Sequence, residues 1–337
     1  MSHYETIRLS HGSGGRLTAE LVRDVFLAAF ASEPLAALTD AAILESPGGR
    51  LAFTTDAHSV TPWRFPGGDI GRLAVAGTVN DLAVMGARPR YLSAAFLLEE
   101  GFRLDDLAEV AGSMRRTADE AGVAIVAGDT KVVERGKGDG IYIATAGVGW
   151  LPEGRDIGPH RLTAGDVLLV NGTLGDHGMA VMAARQGLDP SGSLRSDVMP
   201  LASLVEALLR AAPGTRFLRD LTRGGLAAVA NEMVAGRPLG LRVFDARVPL
   251  SADVMEIGEM LGIDPLLTAN EGKLLAAVPA EEADAALAAL RAHPAGRRAA
   301  VIGDLLVEPA GLALVETAYG SRRVLEMPVE EQLPRIC

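Results

Sequence analysis

Residues 54–89 read TTDAHSVTPWRFPGGDIGRLAVAGTVNDLAVMGARP, and two periodicities meet inside them. Upstream, RLAFTTDAHSV (50–60) reads as a strand that ends in acidic and polar residues. Downstream, GDIGRLAVAGTVNDLAVMGARP (68–89) reads as a helix, closed by Gly86 and stopped by Pro89. Each element carries an aspartate beside small residues, Asp56 on the strand and Asp81 on the helix.

The mixture continues outward in both directions. Towards the N-terminus, HGSGGR leads into a stretch where Leu17, Leu21, Val22, Val25, Phe26 and Ala29 fall at helical spacing. Beyond Pro89 come a strand (90–100), a helix (103–122) and two strands, VAIVAGDTKVV and GIYIATAGVGWL. LPEGRDIGPHRL, rich in Pro, Gly and charge, marks a domain boundary. A strand within GDVLLVNGTLGDHG opens the second half, and MAVMAARQG follows as a helix. DLTRGGLAAVANEMVAG turns into a helix, GKLLAAVP is a strand, and AAVIGDLL and GLALVET are late strands. We therefore expect an α/β (α+β) chain of two domains, with a β-rich first half. The expected boundaries are 1–154, 155–323 and a flexible, extended tail over 324–337, where two prolines replace periodicity.

The formal net charge of −11 is the reverse of a nucleic-acid-binding balance. Two tryptophans and four tyrosines offer no aromatic platform for bases. No apolar run reaches the roughly 18 residues of a membrane span, and the opening residues lack the apolar core of a signal peptide. A single cysteine, Cys337, precludes an internal disulfide and fits a reducing, cytoplasmic setting. His11, His58 and His177 make no zinc spacing. Neither a Walker loop nor GxGxxG is present, since GSGGRL carries leucine in the last glycine place.

What remains is a series of aspartates at the ends of apolar elements: Asp56, Asp81, Asp129 in IVAGDTK and Asp220 in FLRDLTRGG. Each alone is an ordinary turn or cap residue. Converging on one edge, they can hold hard cations that bridge to substrate phosphates. In DLTRGG, Gly224 and Gly225 let backbone approach a ligand closely, and a helix start there favours phosphate. HGSGGR, with Gly14 and Gly15, offers similar backbone. Lys131 ends an apolar strand, where it can meet phosphate. Glu271 in TANEGKLL stands where a general base can stand.

Taken together, HGSGGR, the 54–89 stretch, AGDTKVV, DLTRGGLA, NEG and the terminal PRIC resemble the HypE family of hydrogenase maturation proteins. More broadly the chain is similar to the PurM-like superfamily of aminoimidazole ribonucleotide and selenophosphate synthetases. The resemblance runs from about residue 9 to Cys337. It implies an N-terminal domain that pairs in a homodimer, an α/β C-terminal domain, and ATP in the cleft between them. It implies ATP-dependent dehydration of a carboxamide on the C-terminal cysteine to a thiocyanate, whose cyanide becomes an iron ligand of [NiFe]-hydrogenase. It further implies a HypF-type carbamoyltransferase as donor and a HypC–HypD complex as acceptor.

Carried over by motif, Asp56, Asp81, Asp129 and Asp220, with Asn80, resemble Mg²⁺–ATP residues. Lys131 and Glu271 resemble the pair that handles the carboxamide, and Cys337 resembles the carrier. The chemistry agrees with that reading. An amide oxygen leaves only once phosphorylated, and the two N–H protons need a base. From Glu326 to Cys337, about 11 residues reach at most roughly 36–40 Å, enough to enter the chain's own cleft. A related ATP-dependent synthetase or kinase acting on a free small molecule is the alternative.

Overall fold

The computed structural model describes residues 5–12, 16–31, 33, 48–188, 192–327 and 335–337. Four long strands form the first sheet: β1 (Arg50–His58), β4 (Arg88–Glu99), β5 (Ala124–Val133) and β6 (Ile141–Leu151). Their order is β1-β6-β4-β5, antiparallel except for the parallel β4–β5 pair. A small ribbon of β2 (Arg64–Phe65) and β3 (Gly68–Asp69) precedes helix α1 (Ile70–Val84).

Helix α1 starts where it does because the Asp69 side chain accepts from the Arg72 N–H at 2.9 Å, an N-cap bond. Its residues are apolar or small on nearly every face, so it is a buried helix rather than an amphipathic one. It packs on β1 and β6 with one side and reaches the second half of the chain with the other. Helix α2 (Leu104–Ala121) lies beside it and carries a true amphipathic pattern, with Leu107, Val110, Ala111 and Met114 turned inward.

The second half builds a seven-stranded sheet of shorter strands: β7 (Val167–Val170), β8 (Phe217–Asp220), β9 (Gly240–Phe244), β10 (Leu274–Val278), β11 (Ala300–Leu306), β12 (Ala313–Glu316) and β13 (Arg322–Val324). The order is β13-β12-β9-β11-β7-β10-β8, and only β12–β9 is parallel. Strand β10, LLAAV, between β7 and β8, is buried at every position, as a strand covered on both faces requires. Helices α3 (Asp176–Gln186), α4 (Ala202–Ala211), α5 (Gly225–Val234), α6 (Ala252–Leu261) and α7 (Ala283–Ala292) complete this half. The mixed α/β reading therefore holds. Helix α3 begins at Asp176, three residues earlier than apolar spacing suggests, because Gly175 with φ 84° turns the chain sharply into it.

Of the expected tail over 324–337, the structure describes 324–327 and 335–337. Pro328 and Pro334 lie outside the described residues, but Arg335, Ile336 and Cys337 are packed against the body. Ile336 is 1% exposed and joins the same apolar core as Ile70 and Leu73 of α1.

Candidate active site

The site is built where α1 and β1 meet the loops of the second sheet. Asp56 lies on the face of the first sheet that α1 covers, and Thr78 of α1 donates to its Oδ2 at 3.5 Å. Gly77 keeps this junction tight: a Cβ there would stand 3.1 Å from His58 and 3.5 Å from Asp56. Asp81 follows one turn along α1 and accepts from Thr54 Oγ1 at 2.7 Å. Asp220 ends β8 and is almost fully buried.

These three carboxylates share one field. Burial pushes Asp56 up. Burial, then the charge of Asp56, pushes Asp81 up. Asp220 is pushed up to about 7 by burial and next by Asp81. Arg223 acts on Asp56 and Arg219 on Asp81 and Asp220 in the opposite direction, without offsetting the burial. Beside Asp81 and Asp220 opens a pocket of about 410 Å³, with Phe53, Leu82, Met233 and Arg219 among its walls.

The DLTRGG loop leads from Asp220 into α5. Gly224 and Gly225 both have positive φ, 74° and 56°. A Cβ on Gly225 would meet the Thr268 carbonyl at 2.6 Å, so only glycine fits there. The neighbouring NEG loop is bolted to this turn. Asn270 Nδ2 donates to the Leu221 carbonyl at 3.0 Å, and its Oδ1 accepts from the Gly175 N–H at 2.8 Å.

Glu271 sits in that loop, 3% exposed. Burial above all, then the charges of Asp197, Asp220 and Asp56, push its carboxyl well above the usual range. Its Oε1 has no hydrogen-bond partner among the described residues. The Cys337 thiol donates to this carboxyl, so the chain's single cysteine meets the expected base. Asn80 is bonded to backbone on the far side of the cleft. Its amide donates to the Met199 and Glu271 carbonyls at 3.1 and 3.3 Å, and its oxygen accepts from the Leu201 N–H at 2.7 Å. The backbone uses both ends of this amide, and Asn80 thereby fixes the Glu271 loop to α1.

Two partners beneath Glu271 are absent from the sequence reading. Lys273 Nζ lies 2.7 Å from Asp197 Oδ2 and 3.8 Å from Asp176, all three buried or nearly so. Asp197 also accepts from the Glu271 and Gly272 N–H groups at 3.1 and 3.3 Å. Burial alone would raise Asp197; Lys273 outweighs it and holds the carboxyl below its ordinary value. Asp197 stands in SDVMP, which has no periodicity, and only the lysine inside NEGK hinted at a buried cation.

The expected residues do not all converge within one chain. Asp56, Thr145, Ala94 and Gly128 form one row across the first sheet; Ala57, Ala144, Ala95 and Asp129 form the next. Adjacent rows face opposite sides. Asp129 and Lys131 therefore stand on the exposed face, in an open pocket of about 450 Å³ with Leu97 and Tyr142. Gly14 and Gly15 lie outside the described residues. Among the described residues, no group of three or more His, Cys, Asp or Glu forms a ready-made metal centre.

The family model for the AIR synthase related protein N-terminal domain matches residues 38–151, and its C-terminal counterpart matches 163–311. The carbamoyl dehydratase HypE of Rhodobacter capsulatus is 50% identical over 336 residues, covering 99% of this chain and 98% of that one. A crystal structure of hydrogenase maturation protein HypE in complex with ATP superposes with a TM-score of 0.94 at 46% identity, over 98% of this chain and 99% of the other. A HypE–HypF complex structure matches at TM-score 0.80 and 44% identity, over 91% and 99%. The chain belongs to the HypE family of carbamoyl dehydratases.

Proposed function

We propose that this chain is an ATP-dependent carbamoyl dehydratase that carries its substrate on Cys337 and supplies cyanide for the iron of a [NiFe]-hydrogenase. The observation that carries the reading is the meeting of Cys337 with the buried Glu271 carboxyl. An S-carboxamide on this thiol extends from a group already seated beside a base of raised pKa.

The reaction runs as a phosphorylation and an elimination. The carboxamide oxygen attacks the γ-phosphorus of ATP, and ADP leaves. The C–O bond then breaks with phosphate as leaving group, and both N–H protons depart as the C≡N bond forms. The oxygen of the lost water ends in the phosphate. Glu271 is the proposed acceptor for a proton from nitrogen; the unpartnered Oε1 supports that role. The 410 Å³ pocket beside Asp81 and Asp220 supports a nucleotide there, within the usual range for ligand sites.

Asp56, Asp81 and Asp220 fit a divalent cation, because burial raises all three carboxyls and a neighbouring carboxylate raises Asp81 and Asp220 further. When bound, Mg²⁺ would neutralise phosphate charge. The loop glycines Gly224 and Gly225 bring backbone close to the same place.

The exposed sheet face, with Phe53 71% and Leu51 53% exposed, supports a homodimer in which these faces pair. We propose that Asp129 and Lys131 reach the partner's cleft through that pairing. The proposed units are a dimerisation domain over 1–154 and an α/β domain over 155–323. A HypF-type carbamoyltransferase is the proposed donor, supported by the HypE–HypF structure, and a HypC–HypD complex the proposed acceptor. A carrier thiol must stay reduced, which supports a cytoplasmic setting.

Intact mass spectrometry tests the whole reading. Incubation with the carbamoyl donor system should add one carbamoyl group, and ATP should then remove one water. Cys337→Ala should abolish both changes. A modification mapped to any other residue, or ATP turnover indifferent to deletion of residues 334–337, would overturn it.

A further inference from the structure

We propose that His177 and Arg185 are positioning residues. They grip the chain end by its backbone carbonyls, hold Cys337 against Glu271, and so set how the end divides between the cleft and its loading enzyme. The inference rests on the carboxamide reading above and deepens it.

Both residues belong to α3 and share one of its faces. His177 Nε2 lies 2.8 Å from the Ile336 carbonyl oxygen. A carbonyl only accepts, so Nε2 carries the proton. Nδ1 therefore accepts, and its partner at 2.7 Å is the Ser196 hydroxyl. Ser196 in turn accepts from the Val198 N–H at 3.1 Å. The imidazole is completely buried, held neutral by that burial, and braced edge-on by Phe65 at 5.3 Å. Every polar atom of the ring is thus used, and one of the two bonds goes to the chain end.

Arg185 makes the second grip. Its Nη2 donates to the Arg335 carbonyl at 2.8 Å, and Nε and Nη2 donate to the Thr61 carbonyl at 2.9 and 2.8 Å. The Thr61 N–H adds a donor to the Arg335 carbonyl at 3.3 Å. Two consecutive carbonyls, at Arg335 and Ile336, are therefore fixed directly before the thiol. The buried Ile336 side chain supplies the apolar anchor. Backbone bonds of this kind set position along the chain rather than reading side chains, which is what a tethered reactive group demands.

The grip has opposite effects on the two halves of the cycle. A seated end is presented to Glu271 and hidden from the donor enzyme; a released end is the reverse.

Because the chain has one cysteine, thiol alkylation reports this residue alone. We would measure the rate of N-ethylmaleimide labelling of the full chain, then loading by the carbamoyl donor system, then ATP-driven water loss from preloaded chain. His177→Leu removes the donor while keeping apolar volume, His177→Gln keeps an N–H donor, and Arg185→Met acts at a partly exposed site that tolerates change. Loss of such a bond should lower the ratio of seated to released ends about tenfold in His177→Leu and Arg185→Met. Labelling should quicken accordingly, water loss should slow, and loading should not slow; His177→Gln should lie near wild type. Should His177→Leu not fold, Arg185→Met carries the test.

Unchanged labelling in a folded Arg185→Met chain would overturn the proposal, as would equal slowing of loading and water loss. If labelling responds as expected but wild-type chain loses no water with ATP, the grip stands and the carboxamide reading falls.

Discussion

Replacing Asp220 by asparagine should stabilise the free protein, and only above the acid range. The carboxyl is buried among Asp56 and Asp81 and titrates at about 7 instead of 3.8. Between these values the folded chain holds a proton that the unfolded chain has released. Stability therefore falls as pH rises through that window and levels off above it. At about 1.4 kcal/mol per pH unit, the penalty at the alkaline end is about 4 kcal/mol, part of it shared with its two neighbours. Asparagine keeps the shape and removes the charge. Thermal unfolding of the two chains at about pH 4 should coincide. Near pH 8 the variant should melt several degrees higher, at roughly 2–4 °C per kcal/mol. Adding Mg²⁺ and ATP should raise the melting temperature of the wild type and do little for Asp220→Asn. A melting difference of the same size at both pH values would refute the reasoning, because a penalty that does not titrate is not electrostatic.

Four further outcomes follow from the same geometry. Glu271→Gln should leave carbamoyl loading intact and slow ATP-driven water loss by about 10²–10⁴-fold, read by mass on preloaded chain. Asp197→Ala removes the nearer partner of the buried Lys273, leaves only Asp176 at 3.8 Å, and should cost about 3–5 kcal/mol in urea unfolding, whereas Asp197→Leu combined with Lys273→Met should cost less. Leu51→Glu on the exposed sheet face, outside the pocket lining, should give a monomer by light scattering, because paired faces cannot bury two carboxylates. Lys131→Ala and Glu271→Gln chains, each inactive, should regain about a quarter of wild-type activity when co-assembled, if Lys131 serves the partner's cleft across a two-fold axis.

Much of this site was legible in the chain, for a physical reason. Asp56, Asp81, Asp220 and Glu271 each interrupt or end an apolar element beside small residues, and burial of the element carries the acid inward. Alternation along β5 also puts Asp129 and Lys131 on one face. It could not say which face α1 would cover, so the expectation grouped Asp129 with carboxylates on the opposite side. Asn80 adjoins Asp81 in sequence, and its bonds to the carbonyls of residues 199 and 271 are a part of its role that sequence spacing could not show. Asp197, His177 and Arg185 were silent. Their partners are distant in sequence, and a side chain that bonds a remote backbone group leaves no pattern of residue types.

The seated chain end changes what kind of kinetics this protein can have. With Ile336 seated under His177 and Cys337 as the proposed carrier, the reacting group is a tethered part of the catalyst rather than a molecule in solution. No substrate concentration exists to vary, so no Michaelis constant for the carboxamide can be defined; an isomerisation equilibrium takes its place. Free carboxamides in the surrounding fluid face a competitor attached to the site, and connectivity alone discriminates against them. Each copy performs one dehydration per loading, and throughput becomes a matter of hand-over between proteins.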